Sequence, residues 1–127
     1  MAKKILIIED EELLLNLLKS KLSELGYEVF TALDGLQGLE AIREVVPDLI
    51  LLDIIMPKMG GFELLEKKQE DDSIKNIPVI IISNSGQPVE LEKAKQLGAR
   101  DWLIKTEFDP IEVVEKVIKQ IGDSNNN

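Results

Sequence analysis

The apolar residues of this chain alternate between two spacings, and that alternation restricts its folds more than any other feature. Ile5-Leu6-Ile7-Ile8 is an unbroken apolar run of the length of a buried strand. Leu13, Leu14, Leu17, Leu18, Leu22 and Leu25 then recur at helical spacing as far as Gly26, a natural helix stop. Residues 27–32 read as a second strand, and Leu36, Leu39, Ile42 and Val46 as a second helical stripe closed by Pro47. Leu49-Ile50-Leu51-Leu52 is a third strand running into Asp53. The stretch 54–61, IIMPKMGG, holds a proline and paired glycines and reads as a loop. A third helix begins around Phe62, with Leu65 and Glu66, and Asp71-Asp72-Ser73 is a polar turn. Val79-Ile80-Ile81-Ile82 is a fourth strand, and a helix over about 88–97 follows, stopped by Gly98. Residues 101–104 make a short fifth strand. Pro110 opens a last helix, with Ile111, Val114, Val117, Ile118 and Ile121 expected inward.

Strands that are continuous Val/Ile/Leu runs are buried on both faces, which requires a parallel sheet between two helix layers. Right-handed crossovers through the helices connect such strands. The expectation is an α/β fold with a doubly wound, five-stranded parallel sheet. Sheets of this kind carry their sites at the carboxyl ends of the strands. At 127 residues the chain has room for one core. We assign residues 1–121 to the domain and expect the polar tail 122–127, GDSNNN, to be frayed.

Composition removes several chemistries. There is no cysteine and no histidine, so disulfides, imidazole metal sites and Ser-His-Asp catalysis are excluded. With 24 acidic against 15 basic residues the net charge is −9, a field that repels a nucleic-acid backbone. The start, MAKKILIIEDEE, superficially resembles a secretion signal, but its apolar run is too short and ends in acid. No apolar stretch is long enough to cross a bilayer. The expectation is a soluble, cytoplasmic protein with no membrane insertion.

The functional signal lies in the residues just past each strand. Glu9 and Asp10 come after the first, Asp53 after the third, Ser83 after the fourth and Lys105 after the fifth; the second offers only Thr31 and Asp34 nearby. In a parallel sheet these ends converge. Three carboxylates brought together repel one another, and desolvation adds to the cost. A hard divalent cation offsets it, and Mg²⁺ suits best, since it binds through one or two carboxylates and shares ligands with phosphate. An aspartate can take a phosphoryl group as a mixed anhydride. A lysine ammonium and a hydroxyl then stabilise the transferring group, roles that suit Lys105 and Ser83. Singly these residues are weak evidence: Asp10 alone reads equally well as the N-cap of a helix starting at Glu11.

In order and spacing, KKILIIEDEE, PDLILLDIIMPKMGG, PVIIISNSG and GARDWLIKTEFDP resemble the receiver domain of two-component response regulators, over nearly the whole chain. The resemblance implies a flavodoxin-like sheet of order 2-1-3-4-5 with helices on both faces. It implies that Asp53 is the phosphoacceptor, with Ser83 and Lys105 contacting the phosphoryl group. It implies that Mg²⁺ is held by Asp10, Asp53, Glu9 through water, and the backbone carbonyl of Ile55. The phosphoryl donor would be a sensor histidine kinase or phosphotransfer protein, and the output contact with a downstream protein, the chain being a monomer or weak dimer. Such a domain is a switch rather than an enzyme: it catalyses only its own phosphorylation and dephosphorylation. Trp102 stands where receivers carry an aromatic that turns inward on activation; an ordinary half-buried surface aromatic is the other reading.

Three departures from the family pattern stand out. Thr106 follows Lys105 where a cis proline is usual, so a trans bond is expected, since a non-proline cis bond costs roughly 3–4 kcal/mol. Asn84 stands where the family prefers Ala or Gly. Ile55 and Ser85 occupy positions whose side chains modulate hydrolysis, and an apolar Ile55 cannot orient a water. The rival readings are a degenerate receiver that docks without phosphate, an aspartate-nucleophile phosphatase, and a flavin carrier. The phosphatase would need a second acid where Ile55 stands. The flavin carrier fails on charge, with EDEE in place of a phosphate-binding loop.

Overall fold

In the computed structural model, which describes residues 2–84, 86–107 and 109–124, five strands alternate with five helices. They are β1 (Lys4–Ile8), α1 (Glu12–Glu24), β2 (Glu28–Ala32), α2 (Gly35–Val45), β3 (Leu49–Asp53), α3 (Gly61–Gln69), β4 (Val79–Ser83), α4 (Pro88–Gln96), β5 (Ala99–Ile104) and α5 (Pro110–Ile121). The strands form one parallel sheet in the order β2-β1-β3-β4-β5. Strand order reverses between β1 and β3, which opens a crevice beyond their carboxyl ends.

Each central strand feeds two cores. Leu6, Ile8, Ile50, Leu52, Val79 and Ile81 pack with Leu39 and Ile42 of α2, Leu64 and Leu65 of α3 and Ala94 of α4. Their neighbours Ile5, Ile7, Leu49, Leu51, Ile80 and Ile82 pack on the other face with Leu15, Leu18 and Leu22 of α1 and Val113 and Val117 of α5. That is why the strand sequences lack polar alternation: no face is left to water. The helix stops at Gly26 and Gly98 hold, both at positive φ (96° and 97°). Among the described residues no helix is long and apolar enough to cross a membrane.

Several helix faces differ from expectation. α1 buries Leu15, Leu18 and Leu22, while Leu13 is 90% exposed and Leu17 and Leu25 are also exposed. α5 turns Val113 and Val117 inward against both the sheet and α1 and leaves Ile111 and Ile118 exposed. Leu36 and Val46 are exposed at the ends of the second stripe, and Val46 has already left the helix as a left-handed cap before Pro47. β5 starts earlier than expected, at Ala99, and α3 at Gly61.

Residues 122–124 are not frayed. The Lys3 N–H donates to the Ser124 carbonyl at 2.8 Å, the Tyr27 hydroxyl to the Gly122 carbonyl at 2.6 Å, and Lys3 Nζ to the Ile121 carbonyl. The rest of the expected tail, Asn125, Asn126 and Asn127, lies outside the described residues.

One cation is buried away from the strand ends. Lys68 of α3 is 3% exposed and its Nζ donates to the Lys75 carbonyl at 2.9 Å. Burial pulls its ammonium down to about 8, with the charge of Arg100 adding to the effect. In the unfolded chain Lys68 keeps its proton to about pH 10.5, so between about pH 8 and 10.5 the unfolded chain binds more protons. Stability therefore gains with rising pH across that window. Urea titrations on either side of it should show the gain in the wild type and its loss in Lys68→Met; equal gains would refute the assignment. In the same assay Leu18→Ala should cost about 2–5 kcal/mol, and Leu13→Ala no more than about 0.5 kcal/mol.

Candidate functional site

Register brings the strand ends together. Ile8 pairs with Leu52, Asp53 with Ile82, and Ser83 with Ile104. The ladder continues one step further at both sides: the Glu9 N–H donates to the Ala32 carbonyl at 3.0 Å and the Lys105 N–H to the Ser83 carbonyl at 2.8 Å. These backbone bonds fix where the Glu9 and Lys105 side chains begin. Glu9, Asp53 and Ser83 are buried, and Asp10 is exposed. All five residues singled out at the strand ends thus lie at one edge.

Lys105 Nζ is the centre of the cluster. It donates to Glu9 Oε2 and to Asp53 Oδ2, each at 3.1 Å, and lies 3.5 Å from Glu11 Oε2. Glu9 Oε2 also accepts from the Glu11 N–H at 3.0 Å. Glu9 Oε1 is 3.0 Å from Nζ, but without hydrogen-bond geometry; among the described residues it is the buried side-chain oxygen left with no hydrogen bond. Asp53 Oδ1 accepts a long bond, 3.4 Å, from the Ile55 N–H, and Glu9 also hydrogen-bonds to the Asp53 carboxyl. Two buried carboxylates therefore share one ammonium, with Asp10 and Glu11 at the rim.

The protonation equilibria record this imbalance. Burial pushes the Glu9 carboxyl up to about 7, against the Glu11 N–H and Lys105 and with the Asp53 charge reinforcing it. Burial also raises Asp53, opposed by its bond to Lys105. For Lys105 burial alone would lower the ammonium, but the bonds to Glu9 and Asp53 outweigh it and the net shift is upward.

One carboxylate oxygen each from Glu9, Asp10 and Asp53 lie within 4.8 Å of one another. An all-oxygen set with surplus negative charge and an orphaned buried oxygen fits a hard divalent cation such as Mg²⁺. Asp10 is not tied up as a helix cap: α1 starts at Glu12 behind Glu11, and no side chain caps it. Ile55 turns its N–H toward Asp53 and its side chain outward, 74% exposed.

Some features were not foreseen. Glu11 joins the Lys105 cluster because the turn into α1 folds it back. Gly61 has no room for a side chain, since a methyl there would sit 2.7 Å from the Asp53 carbonyl oxygen, and its N–H donates to the Ile54 carbonyl at 2.7 Å. The paired glycines after Met59 were the available signal. Trp102 is half-buried, packed against the core beside α4. No cis peptide occurs among the described residues, so Lys105–Thr106 is trans. Asn84 is exposed, and Ser85 lies outside the described residues.

The model of the response regulator receiver domain matches residues 5–118, and the chain belongs to that family. It is 33% identical over 127 residues to the polar-differentiation response regulator DivK of Brucella anthropi, covering 98% of this chain and 100% of that one. The chemotaxis protein CheY4 of Vibrio cholerae superposes with a TM-score of 0.89 at 27% identity, over 95% of this chain and 100% of that one. The phosphorylated cyanobacterial phytochrome response regulator RcpA does so with a TM-score of 0.82 at 28% identity, over 94% and 93%. Receiver domains are signalling switches of two-component systems, and phosphorylation and Mg²⁺ binding at an acidic pocket are typical of them.

With divalent cations chelated, the folded chain keeps the Glu9 proton up to about pH 7 while the unfolded chain loses it near 4.5. Stability should therefore fall as pH rises through that window, with Asp53 adding in the same sense. Glu9→Gln should remove most of the slope and stabilise the protein above pH 7 by about 3 kcal/mol. Denaturation in a chelator across this range checks it; an unchanged slope would refute it.

Proposed function

We propose that this chain is a phosphorylation-dependent signalling switch in which Asp53 accepts a phosphoryl group. The observation that carries the reading is the buried Asp53 carboxylate, held at Oδ2 by Lys105 and grouped with the carboxylates of Glu9 and Asp10. The bond to Lys105 opposes the upward pull of burial on Asp53 and so favours its ionised, nucleophilic form. An Asp53 oxygen attacks phosphorus, the O–P bond forms, and the bond to the donor nitrogen breaks with its electron pair returning to the imidazole. These residues include no histidine, so the phosphoryl group comes from outside them, from a sensor histidine kinase or phosphotransfer protein. Glu9, Asp10, Asp53 and the Ile55 carbonyl would hold Mg²⁺, which when bound neutralises charge on the transferring group. Lys105 pairs with the phosphoryl oxygens, and the Ser83 hydroxyl, at the end of the neighbouring strand, bonds one of them. Both residues then have a new anion to face, and the surface around β5 that includes Trp102 changes its contacts with a downstream protein. That RcpA is known in phosphorylated form supports the reading.

Incubation with Mg²⁺ and acetyl phosphate should add one phosphoryl mass, absent in Asp53→Asn, and change the fluorescence of Trp102, the single tryptophan. No adduct and no Mg²⁺ affinity would leave a phosphate-independent docking module instead. The apolar, outward Ile55 cannot orient a hydrolytic water, so the phosphoryl group should decay measurably faster in Ile55→Asn. Equal decay rates would refute that role.

A further inference from the structure

The loop between β3 and α3 has no regular structure, yet it is gripped firmly at its far end. Met59 is buried in the core, and its N–H donates to the Pro57 carbonyl at 2.8 Å. Its own carbonyl lies flush against the first residue of α2: a methyl group on Gly35 would collide with the Met59 carbonyl oxygen and sit 2.7 Å from its carbon. Beside it Lys58 is left-handed, with φ at +68°. A lysine holds that conformation only where its surroundings over-determine it, and such residues gather at functional sites.

Lys58 itself is exposed and its side chain reaches toward Asp34, just ahead of Gly35 and only 5% exposed. Its Oδ1 accepts from the Gln37 N–H at 2.8 Å and so caps α2. That bond accounts for one oxygen. The other, Oδ2, lies 3.8 Å from Lys58 Nζ. Capping a helix needs no charge, since Asn or Ser serves as well; the buried charge of Asp34 is matched to the loop.

We infer that Asp34 and Lys58 are a positioning pair: they set the loop, and with it the backbone at Ile55, against the carboxylate cluster. The inference rests on reading that cluster as a cation-assisted phosphoryl acceptor. Neither residue touches the reacting atoms. They act through the loop, much as groups behind a metal ligand fix its orientation.

Charge alone and positioning make opposite demands on Lys58. Removing a positive charge near a cation site tightens cation binding, or leaves it unchanged where solvent screens the charge. Loss of a positioning contact weakens it. Calorimetric Mg²⁺ titrations of the whole chain, paired with thermal melts in chelator, separate the two. Lys58→Gln should bind Mg²⁺ about tenfold more weakly, the lower end of the range for groups that orient ligands, with an unchanged melting midpoint. Asp34→Asn, whose side-chain oxygen keeps the cap on Gln37, should lose a similar factor, and the double variant no more than either single one. Lys58→Gln binding as tightly as the wild type or more so would overturn the inference, as would additive losses in the double variant. A wild type that neither binds Mg²⁺ nor takes phosphate from acetyl phosphate would overturn the reading of the cluster itself, and the pair with it.

Discussion

One ammonium serving two buried carboxylates is the condition around which this molecule is arranged. Lys105 Nζ donates to both Glu9 and Asp53 at 3.1 Å, and burial still lifts both acids above their ordinary range. Charges so placed are expensive unless they are paired, and taking away one partner costs more than the pair contributes. The cluster is therefore short of positive charge in the form described, and that shortage is what a cation relieves. The buried sheet makes the imbalance possible. Its central strands β1, β3 and β4 exclude water up to their last residues, so that the groups just beyond them sit at the boundary between core and solvent.

The same sheet explains how residues far apart in the chain become neighbours. Lys105 and Glu9 are brought within bonding distance although |i−j| is 96. Parallel pairing keeps every strand pointing the same way, so each carboxyl end delivers its next residue to one edge. The edge is then finished by backbone bonds, from Glu9 to Ala32 and from Lys105 to Ser83, which carry the ladder a step past the strands. Glycine completes the arrangement at Gly61, where the chain leaves Asp53 and returns against its carbonyl.

The strand-end residues were legible in the sequence because each interrupts or ends an apolar run, and a polar group at the mouth of a buried strand is costly to place there without a partner. Element positions were legible for the same reason. Sheet order came from the family resemblance, since periodicity does not tell which strands are neighbours. Helix faces were less readable. α1 has leucine at 13, 14, 15, 17, 18, 22 and 25, so more than one stripe satisfies helical spacing, and only contact with the sheet selects Leu15, Leu18 and Leu22. In α5 the set Ile111, Val114, Ile118 and Ile121 is as regular as Val113 and Val117, and the choice is made by contact with the sheet and α1 together. The bonds of residues 122–124 use backbone carbonyls, which any residue possesses, and so leave no mark in composition. Asp34 and Lys58 are partners only because α2 and the loop after β3 pack together.

The bond between the Lys3 N–H and the Ser124 carbonyl, at 2.8 Å, has a practical consequence. It brings the first and last described stretches side by side at the amino edge of the sheet, opposite the acidic cluster. A short linker there would close the backbone into a ring without bending any strand. The ring can be reopened in the exposed turn at Asp72 and Ser73, since that turn supplies no group to the cluster. Such a circular permutant keeps all five strands in place and has its chain ends at the amino edge ahead of β4, away from the acidic cluster. Fluorophores or tethers could then be attached there, leaving Asp53 unobstructed.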